Sequence, residues 1–174
     1  MKIASYPTDL TDALWKLIAA MLPEKKKRGR PRISRREILN AILYIVKGGS
    51  QWRMLPKEFP AWQTVYHVFR QWQFNNTWES INARLRAKIR KSVGKHCRPT
   101  AAILDSQSVK SDPHRGMVGY DAGKRIKGRK RHVLVDTLGL LLGIVITPAD
   151  TPEREGGKDL LAQTVPWLEW IKLI

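Results

Sequence analysis

One carboxylate sits where chemistry is readily placed. The run AAILDSQSVK (101–110) leads four small or apolar residues into Asp105, then into hydroxyls and a lysine. An acid at the end of an apolar strand is held rigidly and can point into a cleft. Its hard oxygens suit Mg2+, which prefers carboxylates and waters in octahedral array. In two-metal phosphoryl chemistry one ion activates the attacking hydroxyl and the other stabilises the leaving oxygen, so several acids must converge. Asp105 is therefore the candidate catalytic and metal-ligating residue. The plainer alternative is a strand-end acid that caps a turn.

The other acids of the second half read differently. Asp136, in VDTLG, has the setting of a turn residue, and Asp150 and Glu153 flank Pro152 where helices start. Asp112 and Asp121 fall in the glycine- and lysine-rich stretch 111–132, and none of these acids is expected at the end of a further strand. That stretch carries Lys124, Arg125, Lys127, Arg129, Lys130 and Arg131, made pliable by Gly116, Gly119, Gly123 and Gly128. A basic loop following a metal-binding acid suits a phosphodiester substrate. A solvated loop is the alternative. His132 is of the kind that is more often structural than phosphate-binding.

A second basic segment, PEKKKRGRPRIS (23–34), sets Lys25, Lys26, Lys27, Arg28, Arg30 and Arg32 against Glu24 alone. It reads either as a solvated linker or as an extended arm lying in a narrow, A·T-rich minor groove. The whole chain supports a polyanionic partner: 32 Lys+Arg against 15 Asp+Glu give a formal charge of +17. Double-stranded DNA is the first candidate and an anionic membrane the second. The membrane reading is the weaker. The longest apolar run, LGLLLGIVITPA (138–149), falls short of the roughly 20 residues a spanning helix needs. The start, MKIASYPTDL, has no apolar signal core. Cys97 stands alone, which excludes an internal disulfide and a cysteine-based zinc site. A cytoplasmic protein is expected.

These candidates need positioning elements. Residues 9–22 set Leu10, Leu14, Leu17, Ile18, Met21 and Leu22 on one helical stripe, capped by Thr8 or Asp9. SRRE (34–37) has capping-box form and opens a second helix that GG (48–49) stops. Residues 61–74 predict a third, with Val65, Val68, Phe69 and Trp72 inward and Gln63, Thr64, His67, Arg70 and Gln71 outward. Residues 77–93 predict a fourth, with Trp78, Ile81, Leu85 and Ile89 on one side and Arg84, Arg86, Lys88, Arg90 and Lys91 on a basic face. Residues 1–93 thus read as a helical DNA-binding domain of helix–turn–helix type, with the third helix as groove reader. Five of the seven tryptophans lie there, read mainly as core. From 94 onward the texture changes. AAILDSQSV predicts a buried strand, RHVLVD and LLLGIVITP a hairpin, and 152–170 a helix interrupted or ended at Pro166. The class expected is α + α/β, with domains 1–93 and 94–174.

The ordered motifs YPTDLTDALWKLIAAMLP, GRPR, ILNAILYIVKGGSQWRMLP, WQTVYHVFRQW, ILDSQSVK and GYDAGKRIKGRKRHVLVDTLGLLLGIVITPAD resemble bacterial insertion-sequence transposases of the DDE type, through essentially the whole chain. The resemblance implies a helical region that binds the element's terminal inverted repeats. It also implies a ribonuclease-H-like domain that cuts and rejoins DNA with Mg2+, with Asp105 as the first catalytic carboxylate. Residues 94–174 would then be the opening of that domain: strand, β-hairpin, helix. The family's second aspartate and its glutamate have no counterpart before the final PWLEWIKLI. The expectation is a C-terminally truncated chain that binds DNA without cleaving it unless a second chain or a homo-oligomer supplies the missing acids. The alternative function is a non-catalytic repressor or competitor at the element ends.

Overall fold

The computed structural model describes residues 6–23, 33–112, 116–164 and 168–172. The chain divides into two compact units, Met1–Arg84 and Leu85–Ile174.

The first unit is helical: α1 (Asp12–Ala19), α2 (Arg35–Gly48), a 3-10 turn (Trp52–Met54), α3 (Trp62–Phe74) and the start of α4 (Thr77–Ser92). The α1 cap is Thr11, whose hydroxyl accepts from Leu14 N, rather than Thr8 or Asp9. Asp9 instead accepts from Tyr6 N in the preceding turn. α2 begins after Ser34, although the Ser34 side chain makes no capping bond, and ends on Gly49 in the left-handed region at φ 65°. That conformation carries little cost only for a residue without Cβ. α2 buries Ile38, Leu39, Ile42 and Ile45, and α3 buries Val65 and Trp72, as their spacing requires. The aromatic rings are chiefly packing: Tyr6, Tyr44 and Phe59 meet one another, and Trp52, Phe69, Trp78 and Trp72 form a chain of ring contacts.

The second unit is built on a four-stranded, wholly antiparallel sheet: β1 (Ala102–Lys110), β2 (Gly119–Asp121), β3 (Ile126–Asp136) and β4 (Leu141–Pro148). β3 is central. β1 runs along one side of it, and β2 and β4 follow one another along the other. Among the described residues β1 pairs on one side only. α5 (Glu153–Thr164) packs on one face, over a core of Ala102, Leu134, Leu160 and Leu168. Gly156 is what lets the helix lie so close: a Cβ there would fall 2.0 Å from His132 Nε2. Together the units form an α+β chain of five α-helices and one sheet among the described residues.

Several expectations change. The stretch 111–132 is not simply a loop, because β2 and β3 as far as His132 lie in it. Asp121 and Asp136 therefore do end strands. β1 and β4 are half-buried rather than buried: one face carries Ile103, Ile144 and Ile146, 54%, 46% and 59% exposed. The basic face foreseen on α4 is also broken. Arg86 and Arg90 are buried while Ile89 is exposed, so the inward stripe has rotated toward the arginines. The reason is polar: Arg86 Nη1 donates to Leu141 O, and Arg90 reaches His96 O and Asp136.

Candidate carboxylate site and nucleic-acid interface

Asp105 lies in the middle of β1, not at its end, and is exposed. Strand alternation decides its direction. Paired residues share a face, so Asp105 stands with Val133 and Ile144 on the face away from α5. Its Oδ1 accepts from Ser106 N at 2.7 Å. Ser106 itself points to the α5 side, where its hydroxyl donates to Glu153 Oε1 at 2.7 Å.

Glu153, expected only as a helix-start acid, has a second role. It is the first residue of α5, as its place after Pro152 suggested, but it also faces β1. The same Oε1 accepts from Lys124 Nζ at 3.0 Å. Lys124 sits in the β2–β3 turn, where its backbone N–H donates to Asp121 Oδ1 at 3.0 Å. Two donors, Ser106 first and then Lys124, hold the Glu153 carboxyl below its ordinary range. The hydrogen bond to Glu153, with the nearby charges of Glu153, Asp121 and Asp105, raises the Lys124 ammonium. No signal in the sequence joins residues 106, 124 and 153; only the fold of the hairpin over the α5 face does so.

The remaining basic residues divide by burial. Lys124, Arg125 and Lys127 are exposed and Arg129 is half-buried, its Nε donating to Met117 O. Lys130 departs from expectation. It is 5% exposed, donates to Thr151 O at 2.8 Å and lies 3.6 Å from Asp121 Oδ2. Alternation along β3 turns it inward, and Asp121 and the Thr151 carbonyl satisfy the charge there. Asp121 in turn accepts from Ser108 Oγ at 2.6 Å, and this bond, the Lys124 amide and the lysines bring its pKa down to about 2. His132 is fully buried against α5, its Nε2 at 3.0 Å from Thr147 Oγ1, and burial pushes its pKa down. It is a core group.

On α3, Gln63, His67, Arg70 and Gln71 are exposed and Thr64 half-buried, a polar stripe with no acid anywhere in the helix. Lys25, Lys26, Lys27, Arg28, Arg30 and Arg32 lie outside the described residues. No described helix is long and apolar enough to cross a membrane.

Fit to a divalent ion can be tested on the donor set. Asp105 offers accessible hard oxygens of the right kind. Among the described residues, however, no three His, Cys, Asp or Glu side chains gather to hold a metal. The described residues do not complete a two-ion site.

The second unit presents an exposed strand carboxylate and a basic hairpin, and the first an exposed polar stripe on an acid-free helix. Comparison with known proteins gives the class. Residues 10–82 match the family model "transposase of IS4/5 family", and residues 96–174 match "Transposase DDE domain". The chain is 33% identical over 109 residues to the insertion element IS402 uncharacterized 16.2 kDa protein of Burkholderia cepacia, covering 59% of this chain and 73% of that protein. No solved structure matches. The chain belongs to the insertion-element transposases of the DDE type.

Proposed function

We propose that the chain is the DNA-recognition part and the opening of the catalytic domain of an insertion-element transposase. Its helical unit, a helix–turn–helix-like module, binds the terminal inverted repeats through the outward stripe of α3. The antiparallel sheet with α5 on one face is the beginning of a ribonuclease-H-like domain, its division from the helical module falling near residue 93. The exposed placement of Asp105 on β1, beside the cationic β2–β3 hairpin, carries this reading. It leaves the carboxylate accessible to a DNA phosphate and to further ligands.

With further carboxylates supplied by another chain, Asp105 would serve as one oxygen ligand of a Mg2+ site for strand cleavage and transfer. The chain's own residues hold and orient the DNA: Gln63, Thr64, His67 and Arg70 at base edges and backbone, Lys124, Arg125, Lys127 and Arg129 at phosphates. Lys130, being buried, is left out of that set.

On the described residues alone, with Asp105 the one carboxylate assigned to the ion, DNA is gripped and not cut. Incubating the pure chain with terminal-repeat DNA and Mg2+ tests this. Retarded but intact duplex is expected. Cleavage abolished by Asp105→Ala would overturn the inactivity, and equal affinity for all sequences at raised salt would overturn the repeat recognition.

The second reading is a non-catalytic binder at the same ends. It is favoured by the exposed, acid-free polar stripe of α3, which could bind DNA with no carboxylate site. Transposition restored by adding the remaining carboxylates on another chain would exclude it.

A further inference from the structure

Glu153 presents an electrostatic puzzle. The protein carries +17, and an acid facing a DNA-binding surface should on charge alone weaken its hold on phosphate. Yet this acid sits at the junction of three elements. From the first residue of α5 its Oε1 accepts from Ser106 Oγ on β1 at 2.7 Å and from Lys124 Nζ on the β2–β3 turn at 3.0 Å. The turn is fixed a second time, by Lys124 N donating to Asp121 Oδ1 at 3.0 Å. Asp121 is itself anchored on Ser108 of β1 at 2.6 Å. Lys124 is thereby tied at both its backbone and its ammonium, yet its side chain stays 44% exposed. An ammonium has three donors, and the bond to Glu153 occupies one.

We infer that Glu153 is a positioning residue: bridging Ser106 and Lys124, it fixes the Lys124 ammonium beside the Asp105 strand so that one phosphate of bound DNA docks there. This rests on the transposase reading above and adds the element that holds a phosphate on the α5 side of the Asp105 strand. A free lysine on a glycine-flanked turn would range over many rotamers and contribute only diffuse attraction. Ordering it before DNA arrives removes that entropy from the binding step. The lysine charge persists through the neutral range, since its partners favour the ammonium.

The test exploits opposite signs. The 174-residue chain and the variants Lys124→Ala, Lys124→Arg, Glu153→Gln and Glu153→Ala are titrated with terminal-repeat duplex across a salt series. Lys124→Ala should weaken binding and reduce the salt slope by about 1. Glu153→Ala should also weaken binding and lower the slope, although it removes a negative charge. Glu153→Gln, which keeps an oxygen acceptor for Ser106 and Lys124, should lie between Glu153→Ala and the parent. A duplex with one neutral methylphosphonate at the docked position should bind the parent more weakly, yet cost Lys124→Ala and Glu153→Ala nothing further. Amide NMR spectra that match the parent outside the hairpin exclude misfolding. If Glu153→Ala fails that control, the ordering of Glu153→Gln between parent and Lys124→Ala decides.

Stronger binding by Glu153→Ala or Glu153→Gln would overturn the inference, making the acid a mere brake. So would a methylphosphonate penalty unchanged in the variants. A parent chain that binds no terminal-repeat duplex sinks the transposase reading instead, so the two failures are distinct.

Discussion

Arg90 and Asp136 form a buried ion pair: Nη1 donates to Oδ2 at 2.5 Å, with side chains 6% and 0% exposed. The pair ties α4 to the end of β3. The same aspartate closes the β3–β4 turn, accepting from Leu138 N and Leu140 N at 2.9 Å each. Burial alone would raise its pKa, but the two amides and the guanidinium prevail and lower it. Breaking a buried pair from one side leaves an uncompensated charge. Arg90→Met should therefore cost about 3–5 kcal/mol in urea unfolding of the second unit. Arg84→Met, an exposed change in the same helix, should fall within about 0.5 kcal/mol of the parent. Equal effects would contradict the role assigned to the pair.

Asp121 should make the stability of the hairpin acid-sensitive. Its folded pKa of about 2 lies below the unfolded value of about 3.9. A depressed carboxylate contributes stability that is complete above the unfolded value and lost as pH falls through the folded one. The stability gap between the parent and Asp121→Asn should be flat above about pH 5 and close between about pH 4 and 2. Carboxyl-detected NMR should place the Asp121 midpoint near 2. A midpoint at the ordinary value would remove the hairpin anchor from the account.

Gly156 inverts the usual rule. Replacing glycine by alanine inside a helix ordinarily gains about 1 kcal/mol. Here the added methyl would meet the His132 ring. Gly156→Ala should destabilise by about 1–3 kcal/mol, the range for overpacking. In a His132→Ala background the same change should cost less, because space has been made. A thermal melt showing additive losses would argue against the contact.

The outward stripe of α3 should read sequence, whereas the hairpin lysines should not. Arg70→Ala, Gln63→Ala and His67→Ala are expected to weaken binding to the cognate repeat by about 1–3 kcal/mol each for direct base contacts. Their effect on unrelated duplex should be small. Lys127→Ala should weaken both alike and flatten the salt dependence by about 1. If the α3 variants lose cognate and unrelated DNA equally, the helix is only an electrostatic surface.

The helices, the β3–β4 hairpin and the charge balance were legible because each is set by neighbours in the chain. Apolar spacing, a glycine at a stop and a turn after Asp136 need no distant partner. The α3 stripe was readable for the same reason. Long-range partners were not. Arg90 looked like part of a solvated basic face, and the His96 carbonyl together with Asp136, 46 residues away, turns it inward. Lys130 looked like a substrate-facing cation, and Asp121 together with the carbonyl of Thr151 holds it inside.

By itself the sequence determined a basic, two-part α and β chain with one strand acid of interest, and it carried the motifs of the transposase family. Tertiary structure alone decided that Asp105 stands mid-strand on the open face. It also decided that β1 pairs on one side only among the described residues, and that Ser106, Lys124 and Glu153 meet. The reason is the length scale of the forces. Hydrophobic periodicity and turn chemistry act over a few residues, whereas the direction of a charged side chain depends on which distant group stabilises it once the strands are paired.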